Sequence, residues 1–236
     1  MAGGLAPSRR DGGAVRHRPG RAGRRPARNG DLRSRRRTRH PGDDAYHCLF
    51  ASGPLRPGEH VLVHGGAGAV GHAAIQLARH AGAHVATTVS TPGKAELAAS
   101  AGADLVLNYR TDDVVTAVRD WAPEGVSRIV EVDLAGNLDM DTAVIAPGAA
   151  IGVYARTERP VQPPWELMAA NARIDFVLVY TISDAAKRAA VTGVSSALAE
   201  GALTSLPTTR FSLHETEAAH NAVRDGHVGK VLLDIE

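Results

Sequence analysis

From residue 64 to residue 71 the chain reads His-Gly-Gly-Ala-Gly-Ala-Val-Gly. Three of its glycines have the spacing that lets a backbone close on a pyrophosphate. Gly66 permits a tight turn out of a strand, Gly68 lets the backbone approach the phosphates, and Gly71 lets a helix pack closely. Ala67, Ala69 and Val70 complete the turn and open the helix, whose first N–H groups and positive dipole end suit an anion. The alternative for these glycines is an ordinary tight turn in an α/β protein.

The second set of chemical residues follows twenty residues on. A site for an unphosphorylated adenosine ribose usually has Asp or Glu at the end of the next strand. Here the chain reads Thr87-Thr88-Val89-Ser90-Thr91-Pro92-Gly93-Lys94. A hydroxyl and a cation with no carboxylate favour a 2′-phosphate, and hence NADP(H) over NAD(H). The eleven histidines suggest metal or acid–base chemistry, but His64, His72, His80 and His84 spread over a strand end, a helix and the next strand. That spread predicts no metal site, and His214, His220 and His227 read as surface or packing residues. Cys48 is the single cysteine, so neither a disulfide nor a cysteine-built zinc site forms within one chain.

These residues need a scaffold, and the flanks supply one. Val61-Leu62-Val63 is an apolar strand, Val70, Ala74, Leu77, Ala78 and Ala81 share a helix face, and His84 to Thr88 is a second strand. Strands and helices then alternate: helix 92–101, strand 104–107, helix 111–121 capped by Thr111 or Asp112, strand 126–132, helix 138–145, strand 149–154, helix 165–172, strand 174–180. Nearly continuous apolar strands in such an alternation mean a doubly wound parallel sheet covered on both faces, an α/β Rossmann domain. A helix capped at Asp43 or Asp44 precedes it. Helix 183–201, strand 210–212, helix 215–225 and strand 230–235 exceed its strand count.

Composition divides the chain. The first 40 residues hold thirteen arginines, no lysine, and only Asp11 and Asp31 as acids, so the net charge of +2 conceals a basic start and an acidic remainder. Arginine, glycine, proline and alanine cannot bury enough apolar surface to offset ordering, so 1–42 is expected to be disordered. It reads as an out-of-frame translation, a neutral extension or a basic arm; without lysine or aromatic residues, nucleic-acid binding is disfavoured. No apolar run suits a membrane span or a secretory signal, and a cytoplasmic protein is expected.

The run PGEHVLVHGGAGAVGHAAIQLARHAGAHVATTVSTPGKAELAASAGADLVLNYR, with Ile145-Ala-Pro-Gly148 and the closing AHNAVRDGHVGKVLLDIE, resembles the zinc-independent medium-chain dehydrogenases/reductases, specifically NADPH:quinone oxidoreductases of the zeta-crystallin type. The resemblance covers about residues 43–236. It implies that Lys94 and Tyr109, with Ser90 beside them, hold the adenosine 2′-phosphate, and that Lys230 reaches the cofactor from the last strand. It places nicotinamide contacts at Val132-Asp133, Tyr154-Ala155 and Val179-Tyr180-Thr181, and names no catalytic residue. It implies a homodimer formed through strand 174–180. Where the family carries a GroES-like domain, this chain has the arginine-rich stretch.

The expectation is a disordered segment at 1–42, an NADP-binding Rossmann domain at 43–203, and strand-helix-strand elements at 204–236 left over from a truncated GroES-like domain. Its function is expected to be NADPH-dependent hydride transfer to a quinone or activated alkene. The alternative is a non-catalytic NADP-binding remnant or sensor with a basic tail.

Overall fold

The computed structural model describes residues 32–157 and 159–235, with side chains from residue 41 onward. Expectations for residues 1–31 fall outside the described residues. Helix α1 (Leu32–Phe50) leads into β1 (His60–His64), α2 (Ala69–His80), β2 (His84–Val89), α3 (Pro92–Ser100), β3 (Leu105–Asn108) and α4 (Val114–Trp121). Strand β4 (Val126–Glu131), α5 (Leu134–Val144), β5 (Ile145–Val153), α6 (Trp165–Ala169) and β6 (Arg173–Phe176) follow. Then come α7 (Asp184–Ala199), β7 (Thr208–Ser212), α8 (Thr216–Arg224) and β8 (Lys230–Asp234).

Six strands form one sheet in the order β3-β2-β1-β4-β5-β6, every pair parallel. This is the doubly wound order. Chain direction across the sheet reverses between β1 and β4, and the crevice beyond their carboxyl ends is where such folds take ligands. Apolar strands make this possible: Val61, Leu62, Val63, Val85, Ile129 and Ile151 are fully buried because helices cover both faces. Strands β7 and β8 form a separate two-stranded parallel sheet.

One face of the sheet receives α1. Gly152 on β5 has no side chain, and a Cβ there would come within 2.6 Å of the Cys48 Cα and 2.7 Å of its Cβ. The helix therefore lies flush on the strand. At Gly193 of α7 a Cβ would collide with the Tyr46 ring, so the same device seats α7 against α1. Both contacts bury Ala45, Cys48 and Leu49.

Several boundaries differ from those the sequence predicts. Helix α1 begins at Leu32 and runs through Pro41, rather than being capped at Asp43 or Asp44; arginine and leucine are good helix formers, which a composition argument about core burial overlooks. The cap of α4 is Asp113, whose carboxylate accepts from the Thr116 N–H at 3.1 Å. Asp112 instead accepts from the Asn108 N–H at 2.7 Å and ties the turn after β3. Strand β6 stops at Phe176, short of Tyr180.

Candidate functional site

A cleft of about 430 Å³ opens at the sheet's switch point, floored by the turn between β1 and α2. Gly65 holds the turn with φ +68°, a conformation that a side chain resists. The left-handed residue is thus Gly65, one position before the glycine expected to make the turn. Gly66 is required for room: a Cβ there would strike the Thr87 hydroxyl and come within 2.8 Å of Ile75. Gly71 packs its bare Cα against the turn itself, where a Cβ would strike the Gly65 carbonyl and lie 2.9 Å from the Gly66 Cα. Gly68 precedes α2 without a side-chain cap, which leaves the helix's first N–H groups to the cleft.

At the adenosine end the cleft is lined by Ser90, Lys94 and Tyr109. The Lys94 ammonium donates to the Ser90 hydroxyl at 3.3 Å, across the first turn of α3. Thr91 caps that helix by accepting from the Lys94 N–H at 3.4 Å, and Pro92 begins it. The cap therefore fixes where the ammonium sits. Tyr109 follows β3, is 50% exposed, and has the Arg110 guanidinium 5.9 Å from its ring centroid. Among the described residues, no carboxylate lines this end of the cleft.

Beneath the turn lies a second polar group, sealed from water. His64 ends β1, Glu131 ends β4 and Asp141 lies on α5; the three are 2%, 0% and 0% exposed. The His64 Nε2 is 2.8 Å from an Asp141 oxygen and 3.4 Å from a Glu131 oxygen. Its Nδ1 is 3.0 Å from the Thr88 hydroxyl. Glu131 also accepts from the Asp133 N–H and, at 3.0 Å, from the Asn137 amide. Burial, and then Asp141, push the Glu131 carboxyl up to about 7, although His64 pulls the other way. Burial alone would depress His64, but its hydrogen bond to Asp141 and the two carboxylate charges leave it raised.

Residues 69–196, more than half of the chain, match the family model described as zinc-binding dehydrogenase. The chain belongs to that family. It is 27% identical over 192 residues to the quinone oxidoreductase of Pongo abelii, covering 80% of this chain and 58% of that protein. It is 29% identical over 199 residues to a phenolphthiocerol/phthiocerol polyketide synthase from Mycobacterium tuberculosis, covering 81% of this chain and 9% of that one. A mycobacterial protein solved in complex with NADPH superposes with a TM-score of 0.73 at 29% identity, over 83% of this chain and 62% of the other. This dehydrogenase-family chain thus spans less than two thirds of each of these proteins.

The family's description names zinc, and the donor set can be tested against it. Among the described residues the convergent group is His64, Glu131 and Asp141, with candidate atoms within 4.8 Å of one another. The His64–Asp141 hydrogen bond occupies two of these atoms, the second Asp141 oxygen has no hydrogen-bond partner, and Cys48 is buried under α1 instead. The four-ligand arrangement of a structural zinc is not built here. His64 meets two acids rather than another of these histidines, a grouping that the spacing of the histidines does not address.

Of the residues singled out from sequence, Ala67, Gly68, Ser90, Lys94 and Tyr109 line the cleft, and Gly66, Ala69, Val70 and Gly71 build its floor and first helical turn. Val132, Asp133 and Tyr154 line the opposite end. Burial raises the Tyr154 phenol, which stays protonated at neutral pH. Lys230 instead faces a small cavity with Ala69, His72 and Thr204, while its neighbours His227 and Gly229 line the cleft. His64, Thr88, Asn137, Met140 and His227 also line the cleft, unforeseen. For Asp141 a signal existed: it shares the buried face of α5 with Leu134, Leu138 and Val144, where an acid demands a partner.

Proposed function

We propose that this chain binds NADP(H) in the switch-point cleft and serves NADPH-dependent hydride transfer to a quinone or activated alkene, without zinc. The observation that carries the reading is one cleft with a side-chain-free phosphate floor and, at its adenosine end, a Lys94–Ser90 pair with no carboxylate. The fit is steric and electrostatic together. Gly66 and Gly71 let the turn pack against β2 and the start of α2 where a Cβ would strike protein atoms, Gly65 supplies its positive φ, and the start of α2 presents N–H donors to the pyrophosphate. Lys94, Ser90 and Tyr109 would hold the 2′-phosphate.

When bound, the dinucleotide supplies the hydride. What the chain adds is orientation. Val132, Asp133 and Tyr154 surround the end of the cleft away from Lys94, so the nicotinamide would lie there, against strand ends rather than mobile loops. The protonated Tyr154 phenol is a hydrogen-bond donor at that end. The mycobacterial neighbour complexed with NADPH and the relative named quinone oxidoreductase support the reading.

The test is fluorescence titration with NADPH and NADH, followed by NADPH oxidation with a panel of quinones and activated alkenes. Tighter NADPH binding and turnover with at least one acceptor are expected. Equal affinity for both dinucleotides would sink the NADP assignment; NADPH binding without turnover on any acceptor would favour the non-catalytic sensor.

We further propose that the chain pairs with a second copy through the β6 edge. Phe176 on this edge strand, Leu178 and Tyr180 just after it, and Trp165 and Met168 on α6 are exposed, and an edge strand with unpaired backbone groups invites pairing. Light scattering at micromolar concentration should give a dimer, and a monomer would refute it. No helix among the described residues is long and apolar enough to cross a membrane.

A further inference from the structure

The sealed trio is more than the cleft requires for shape, since apolar side chains would fill the same space at less cost. Its connections run directly to the phosphate floor. The Thr88 hydroxyl oxygen accepts from the Gly65 N–H at 3.3 Å, and the Thr88 carbonyl accepts from the Gly66 N–H at 3.1 Å. Thr88 therefore holds both residues of the turn. His64 is bonded to that same hydroxyl through Nδ1 and precedes Gly65 in the chain.

Charge decides which way these bonds run. The titratable groups facing His64 are Glu131 from β4 and Asp141 from α5; β2 contributes the neutral Thr88. Two carboxylates beside a neutral imidazole would leave uncompensated negative charge in a dry interior. An imidazolium, one carboxylate and one protonated carboxyl leave none. Asp141 has the shorter contact to Nε2 and takes the carboxylate role, and Glu131, pushed up to about 7, takes the proton.

An imidazolium has donors on both nitrogens. Its Nε2–H then donates to Asp141 and its Nδ1–H to the Thr88 oxygen. That oxygen already accepts from Gly65, so both of its lone pairs are committed. The hydroxyl's own proton is left to point elsewhere, and Thr88 lines the cleft.

We propose that His64 is a positioning residue for the phosphate floor: held as an imidazolium between Asp141 and Thr88, it makes the Thr88 hydroxyl a donor toward the cleft and couples anion binding there to a proton kept in the sealed trio. Loss of that proton reverses the Thr88 bond, because a neutral His64 that still donates to Asp141 must accept at Nδ1. The hydroxyl then donates inward, and the cleft loses a donor. This inference rests on the NADP(H) reading for its ligand and not for the charge state of the trio.

The experiment therefore has two arms on the full chain. In the first, ¹⁵N spectra of the ligand-free protein at pH 7, with His64 assigned by difference from His64→Asn, should show both of its ring nitrogens protonated. A neutral His64 would overturn the proposal whether or not any dinucleotide binds. In the second, NADPH affinity is titrated from pH 6 to 9. The wild-type Kd should rise by about tenfold as the proton leaves, one unit of titration being a factor of ten. Asp141→Asn, which cannot hold the imidazolium, should move that rise to lower pH by a unit or more. His64→Asn, which has no titrating ring, should show no rise of Kd with pH, whatever its affinity at pH 6. Parallel profiles for wild type and His64→Asn would refute the coupling. Stoichiometric binding of Zn²⁺ alone to wild type, lost in His64→Asn, would also refute it by making the trio a metal site. Wild-type protein that binds no NADPH at any pH would fail the NADP(H) reading and leave the first arm to decide the trio.

Discussion

The cleft has two polar corners that work in opposite ways. At the adenosine end Lys94 and Ser90, both part-buried, are joined by one 3.3 Å hydrogen bond, and Tyr109 beside them is half exposed to water. Under the phosphate floor His64, Glu131 and Asp141 are shut away, with every contact made to protein. The open corner can recognise a charged ligand because its own charge is cheaply solvated when the ligand is absent. The sealed corner keeps its two carboxyls from water, so whatever it does reaches the cleft through His64 and the Thr88 hydroxyl that His64 holds. Exposure suits selection, and burial suits positioning.

The largest effect is expected at the floor shared by both corners. Gly71→Val drives a side chain into the Gly65 carbonyl, so NADPH affinity should fall by more than a hundredfold. Calorimetric titration of protein that remains folded by circular dichroism checks this; wild-type affinity would show that the turn tolerates displacement.

Next comes the open corner. Lys94→Ala removes a charge-assisted contact of about 1.5 to 3 kcal/mol, so NADPH binding should weaken roughly ten- to a hundredfold with NADH unchanged. Equal losses for both dinucleotides would erase the division of labour. Tyr109→Ala, at a half-exposed ring, should cost about fivefold or less, near the 1 kcal/mol of a modest ring contact. A larger loss than that of Lys94→Ala would place the main recognition on the ring.

The smallest effect concerns the sealed corner's stability. Glu131 has its carboxyl raised from 4.5 to about 7 in the fold, so the folded state binds a proton that the unfolded chain has released. Its contribution is complete below about pH 4.5 and is lost as pH rises through 7. His64, raised from 6.5, has the same sign and extends the loss upward. Denaturant titrations from pH 5 to 8 should thus show wild-type stability falling with pH, and Glu131→Gln, permanently neutral, should flatten the lower part of that fall. A wild-type stability that rises over this range would reverse the assigned protonation.

The open corner and the glycine turn were legible because their signals are local. A strand, a glycine run, a small-residue helix and a strand lie within thirty residues, and Ser90 and Lys94 sit one helical turn apart. The sealed corner joins residues 64, 88, 131 and 141, and only the order of the strands brings them together. Glu131 closes an apolar strand and Asp141 interrupts an apolar helix face; each is a visible anomaly whose resolution depends on the other. The turn residue was misplaced by one because consecutive glycines look alike in sequence, and only φ separates Gly65 from Gly66. The dense arginine run hid the start of α1 because composition speaks to burial and not to backbone preference.

The seat of α1 on Gly152 turns the chain's lone cysteine into a clock. The Cys48 thiol is shielded by the helix it belongs to, and burial raises it out of reach of ordinary alkylation. A thiol reagent can therefore react only during the moments when α1 lifts from the sheet. The rate of labelling measures how often that happens, without any probe being introduced. A ligand that tightens the cleft on the far side of β1 would slow the clock only if the sheet moves as one body with its helix.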